Sequence, residues 1–163
     1  MKITAQEEYG LRILLRIARC QDKNGMSIPQ LSEAEGLTCA YIAKLTRKLR
    51  IEGYINSTPG NKGGYVLAKA PANINMNQVL KTLGGPLFDK SFCGDYSGSL
   101  KFCTNSVDCS VRSLWQMVQF SVDQLLDKMT LSDLINSGEK SNQLLNAILE
   151  KNLKNVSIKN VSV

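Results

Sequence analysis

Three of the chain's five cysteines fall in one short polar stretch, at Cys93, Cys103 and Cys109. The stretch is rich in Gly and Ser and cannot build a hydrophobic core. Three thiols gathered in it therefore point to chemistry: a bound metal, an iron-sulfur cluster or a redox switch. Cys20 and Cys39 stand in segments with helical periodicity and read as incidental thiols. The chain has no histidine, which removes Ser-His and Cys-His catalysis, ordinary zinc hydrolysis and His-based pH sensing. Nothing resembles a nucleophile-base pair, and the glycines around Gly60–Gly64 lack the Lys-Ser/Thr ending of a phosphate-binding loop. The chain reads as no enzyme and implies no small-molecule substrate.

A second chemistry is carried by charge. Residues 1–70 hold eleven Lys/Arg against six Asp/Glu, whereas residues 71–163 hold nine against eight. The N-terminal half is thus the part that should meet a polyanion. Five cysteines is an odd number, and a reducing cytoplasm argues against a structural disulfide framework. No run approaches the roughly 18 apolar residues of a membrane span, and the start, Met1 to Glu8, has no apolar signal core. These features predict a cytoplasmic protein with no membrane partner.

The elements that must position these groups follow from periodicity. Tyr9, Ile13, Leu14, Ile17 and Ala18 trace one face of a helix over 5–20, with Arg12, Arg16 and Arg19 on the other. Ser27 is an N-cap ahead of a short helix with Pro29 in its first turn, ended by Gly36. Thr38 caps a third helix, Cys39 to Glu52, whose Tyr41, Ile42, Leu45 and Leu49 are apolar and whose Lys44, Arg47, Lys48 and Arg50 are basic. Two helices across a tight Gly turn form a helix-turn-helix, in which the start of the second helix reaches base edges in a major groove. Two strand-like runs, Tyr54–Ser57 and Gly64–Ala68, then make a hairpin, or wing, around Pro59, Gly60, Asn61, Lys62 and Gly63. The candidate DNA-contacting residues are Ser27, Thr38, Ala40, Tyr41, Lys44, Arg47 and Lys48 on the helices, and Thr58, Gly60, Asn61, Lys62 and Gly63 in the wing.

Beyond the wing, Met76 to Leu83 reads as a short amphipathic helix stopped by Gly84-Gly85-Pro86. After the cysteines, Val111, Leu114, Trp115, Val118, Val122, Leu125, Leu126 and Met129 form an apolar stripe of about five turns. Nothing else in the chain is large enough to cover such a helix, so it should pair with a second copy and present two recognition helices to a near-palindromic duplex. Thr130 with Asp133 caps a final short turn. Leu144, Leu145, Ile148 and Leu149 suggest a brief helix, and the last ten or so residues read as disordered. The predicted fold is mainly α with a small β-hairpin wing. It divides into a winged helix-turn-helix unit (1–70), a connecting helix and cysteine loop (71–109), a dimerisation helix with docking turn (110–135) and a polar, partly disordered tail (136–163).

In this order the pieces resemble the Rrf-type family of bacterial winged-helix regulators, which includes iron-sulfur and nitric-oxide sensors of the IscR and NsrR kind. The resemblance runs from Met1 to about Ile135. Its carriers are Met1-Lys2-Ile3-Thr4, Leu31-Ser32 through Tyr41-Ile42 and Leu45, Gly63-Gly64-Tyr65, the three-cysteine loop, and Leu114-Trp115 with Thr130 to Leu134. It implies a homodimeric transcription factor whose cysteine loop holds an iron-sulfur cluster, [2Fe–2S] in preference to [4Fe–4S], that alters DNA affinity. Two departures stand out: Cys93 and Cys103 are more widely spaced than in many relatives, and Arg112 stands where some relatives carry a histidine ligand. Other relatives recruit a carboxylate from the first helix, and Glu8 occupies that position, so the implied ligands are Cys93, Cys103, Cys109 and Glu8. Two alternatives remain open: a cluster-free thiol switch on the same DNA-binding frame, and a cluster-bearing protein-interaction module with no DNA role.

Overall fold

The computed structural model describes residues 3–60, 63–89, 91–95, 99, 102–135, 142–143, 146–147 and 149–151. Helix α1 (Ala5–Arg19) starts at a reciprocal cap: Thr4 Oγ1 accepts from the Glu7 N–H at 3.3 Å and the Thr4 N–H donates to Glu7 Oε2 at 2.8 Å. Two backbone donors that a helix start leaves open are thereby satisfied. Ser27 and Gln30 repeat the arrangement for α2 (Ile28–Glu35). Gly36 ends α2 at φ +67°, a left-handed turn that a residue with a Cβ adopts only at a cost. Thr38 then caps α3 (Cys39–Ile51) as expected. Cys20 lies just past α1, as its C-cap.

The wing is an antiparallel pair, β1 (Ile55–Ser57) and β2 (Tyr65–Leu67), with Ile55 opposite Leu67 and Ser57 opposite Tyr65. Both strands are shorter than their sequence patterns suggest. The backbone of Met26 joins the pair from the other side, donating to Tyr65 O at 3.1 Å and accepting from Tyr65 N–H at 2.9 Å.

A 3-10 turn (Pro71–Asn73) leads to α4 (Met76–Gly84), capped by Asn75. A short α5 (Phe92–Asp95) lies within the cysteine stretch, followed by α6 (Ser110–Leu126) and α7 (Leu131–Ile135). The apolar stripe divides at Asp127, the C-cap of α6: Met129 and Leu131 turn inward, and Met76 N–H and Leu131 N–H donate to Met129 O and Ile74 O at 2.9 Å. One buried cluster runs from Ile13, Leu14 and Ile17 of α1 through Leu31, Ile42, Leu45 and Leu49 to Val79, Leu83 and Leu131. Each such side chain contributes about 1.5–3 kcal/mol by leaving water.

Helix α6, 17 residues long, has no buried residue, a property it shares only with the four-residue α5 among the described α-helices. Val111, Met117 and Phe120 are 61%, 60% and 62% exposed. Leu144, Leu145, Ile148 and residues 152–163 of the predicted tail lie outside the described residues. Among the described residues no helix is long and apolar enough to cross a membrane.

Candidate nucleic-acid interface and cysteine segment

Amphipathicity fixes which side of α3 is free. Ile42, Leu45 and Leu49 are buried, so Thr38, Ala40, Lys44, Arg47 and Arg50 stand in solvent. Thr38 Oγ1 accepts from Tyr41 N–H at 3.3 Å, which leaves its hydroxyl proton for an outside acceptor. Two predicted contacts point elsewhere. Tyr41 is half-buried with its ring edge-on to Tyr9, centroids 6.2 Å apart. Lys48 is half-buried and its Nζ donates to Leu83 O, at the end of α4, at 2.9 Å.

The start of α2 and the wing share one groove of about 710 Å³, lined by Ser27, Thr58, Gly60 and Gly63 together with Asn24, Gln30, Ile28 and Tyr65. Thr58 closes its wall, with its hydroxyl 2.7 Å from Asn24 O and its Oγ1 accepting from Gly64 N–H at 2.7 Å. Asn24 and Gln30 are lining residues not among those expected to contact DNA. Asn61 and Lys62 lie outside the described residues.

The basic face expected on α1 is exposed but partly neutralised by a buried carboxylate. Glu35, whose side chain is 2% exposed, holds Arg12 Nε at 2.7 Å and Arg16 Nε at 2.6 Å. The Arg16 contact is a hydrogen bond, whereas Glu35 Oε2 has no aligned donor and meets Arg12 as an ion pair. Arg19 donates to the carbonyls of Leu134 and Ile135, each at 3.1 Å. Among the described residues, Lys44, Arg47 and Arg50 of α3 are exposed basic side chains with no carboxylate partner of this kind.

In the cysteine segment, Cys109 is the N-cap of α6, its sulfur accepting from Arg112 N–H at 3.4 Å. The Arg112 guanidinium holds the preceding loop, donating to Asn105 O at 3.4 Å and Ser106 O at 3.1 Å. Cys93 lines a cavity of about 330 Å³ with Phe88, Arg112 and Gln116. Cys103 is half-buried, and all five cysteines are free thiols. Glu8 lies on the rim of a different groove, of about 460 Å³, lined by Leu11, Leu80, Leu87, Val122 and Leu126. Soft thiolates suit iron, yet among the described residues no three Cys, Asp or Glu side chains converge where they could hold a metal ion. One chain does not assemble the four implied ligands into a site.

The segment is fastened to the helical core through α4 and α6. Lys81 Nζ lies 2.8 Å and Gln119 Nε2 2.7 Å from Asp123 Oδ1. Burial opposes the charged form of Asp123, but hydrogen bonds from Lys81, Gln119 and Asn77, with the Lys81 charge, outweigh it and hold the carboxyl below the ordinary aspartate range.

Residues 3–137 match the family model described as "Rrf2: Iron-dependent Transcriptional regulator". The chain is 31% identical to protein rrf2 of Nitratidesulfovibrio vulgaris, over 85% of this chain and 89% of that protein. Among solved structures, it is similar to T. potens IscR, at 27% identity and a TM-score of 0.62, covering 83% of this chain and 86% of that one. It is also similar to the oxidized form of Staphylococcus aureus CymR, at 26% identity and a TM-score of 0.64, covering 84% and 98%.

Proposed function

Because the chain belongs to the Rrf2 family of transcriptional regulators, we propose that it is a cytoplasmic, homodimeric DNA-binding regulator whose affinity for a near-palindromic duplex is set by the chemical state of Cys93, Cys103 and Cys109. It is a regulator and not an enzyme. Thr38, Ala40, Lys44 and Arg47 enter the major groove, while Ser27, Thr58, Gly60 and Gly63 hold the adjoining backbone. The observation that carries the sensing half is the place of Cys109: its sulfur caps α6, the helix whose Val111, Leu114, Trp115, Met117 and Phe120 are exposed. Chemistry at that sulfur acts on the first turn of the helix through which two copies would pair, and so on the spacing of the two recognition helices.

Two forms of this reading have separate support. An iron-sulfur cluster on the three thiols, completed by Glu8 from a second copy, agrees with the soft donor set and with the family's iron-dependent description. Such a cluster would supply a centre sensitive to oxidants, nitric oxide or iron supply. A cluster-free thiol switch agrees with the separation of the ligands in one chain and with the likeness to oxidized CymR.

Anaerobic purification, followed by an absorption spectrum with iron and sulfide analysis, separates the two. Colour and stoichiometric iron lost in Cys109→Ala support the cluster; iron-free protein that stays colourless after reconstitution leaves the thiol switch. Mobility shifts across several salt concentrations test the shared DNA-binding frame, and binding without sequence preference would refute it.

A further inference from the structure

Lys48 lies on the recognition helix but faces away from its exposed side. Lys44, Arg47 and Arg50 stand in solvent, whereas Lys48 is half-buried with its ammonium on Leu83 O at 2.9 Å. That carbonyl belongs to the last turn of α4, where carbonyls lack partners within the helix and the helix dipole is negative. Gly85 N–H takes the Lys81 carbonyl at 2.9 Å, and the Gln6 side-chain amide of α1 joins Lys48 on Leu83 O.

The junction has little slack. A Cβ on Gly10 of α1 would lie 2.5 Å from a Leu83 methyl, and one on Gly84 would lie 2.3 Å from Glu7 Cδ. The end of α4 is therefore seated on α1 and held by α3. On its far side the chain passes through Gly85 to Phe88, whose N–H donates to Gln119 Oε1 of α6 at 2.9 Å; Gln119 in turn holds Asp123, which pairs with Lys81 of α4. Phe88, just beyond this junction, thus hangs from α6, whose first turn is capped by Cys109.

We propose that Lys48 is a positioning residue that latches the recognition helix to the end of α4 and carries the state of the cysteine segment to α3, rather than a DNA contact. The proposal rests on the sensing function argued above. A shift of α6 displaces the end of α4 through Phe88 and Lys81, and the Lys48 bond passes the displacement to α3. As a phosphate ligand, Lys48 would have to leave Leu83 O, removing the charged partner of that carbonyl.

The test uses the full chain and a duplex selected by the wild type, with the cysteine segment in two states: anaerobically reconstituted, and treated with ferricyanide or peroxide. Affinities are measured across a salt series for wild type, Lys48→Met, Lys48→Arg and Lys44→Met, with thermal melts to verify folding. Lys44→Met, the loss of a groove contact, is expected to weaken binding in both states alike, with the affinity ratio between the two states unchanged. Lys48→Met is expected to keep the wild-type slope while its ratio falls at least threefold toward one, and Lys48→Arg, which keeps a donor, to retain the ratio. A Lys48→Met protein with a lowered slope and an intact ratio overturns the proposal. A wild-type ratio of one overturns the sensing function and the transmission with it, and the slope then decides alone whether Lys48 meets phosphate.

Discussion

Glu35→Gln offers a direct measure of what holds the helix-turn-helix on α1. The carboxylate is the last residue of α2, sealed to 2% exposure between Arg12 and Arg16 at 2.7 and 2.6 Å. Breaking a fully buried pair costs about 3–5 kcal/mol. Here the arginine side chains remain 45% and 49% exposed, so they rehydrate when the charge is removed; this lowers the expected cost to about 1.5–2.5 kcal/mol. For a chain of this length that corresponds to a melting temperature lowered by about 3–10 °C. Melts at pH 7 in low and high salt check it, and because the carboxylate is buried the difference should survive in high salt. A cycle with Arg12→Gln should give a coupling of about 0.5–3 kcal/mol. A Glu35→Gln protein melting within about 1 °C of wild type would place it among neutral surface changes and refute the reasoning.

Two further outcomes follow from other contacts. Gly36→Ala meets no neighbouring atom within 4 Å but must adopt φ +67°; it should lower the urea midpoint by an amount equivalent to about 1–2 kcal/mol, with an unchanged m-value. Asp123 titrates below the ordinary aspartate range, so its stabilising contribution is present above the unfolded aspartate value and is lost as pH falls through the folded one. Asp123→Asn should therefore be destabilised at neutral pH, with its melting temperature converging on that of wild type below about pH 4.

What could be read in advance was what the chain decides locally. Ser27, Thr38 and Thr130 stand at helix starts because an oxygen-bearing side chain is needed there, and they are legible with no knowledge of the fold. The apolar and basic faces of α3 follow equally from its own period. Contacts between distant segments left no such mark. Arg12 and Arg16 read as one basic face of α1 because Glu35 lies on another helix, and Lys48 read as a DNA contact because nothing nearby shows that the Leu83 carbonyl needs a donor. Met26, alone between Gly25 and Ser27, gave no strand pattern, and its pairing with Tyr65 depends on where the hairpin folds. For the cysteines, residue type was legible and arrangement was not: Glu8 and Cys93 line separate cavities in one chain.

The pairing of Met26 with Tyr65 changes what the wing can be mechanically. Met26 is the residue before the cap of α2, so the gap between the start of α2 and the hairpin is fixed by two main-chain hydrogen bonds, at 3.1 and 2.9 Å, and by the Thr58 hydroxyl at 2.7 Å from Asn24 O. A jaw fixed in this way behaves as a gauge more than a flexible finger. A duplex seated against both sides would have to conform to it, and a sequence whose minor groove sits too wide or too narrow would bear the elastic cost of doing so. Selectivity would then extend to base pairs that no side chain touches.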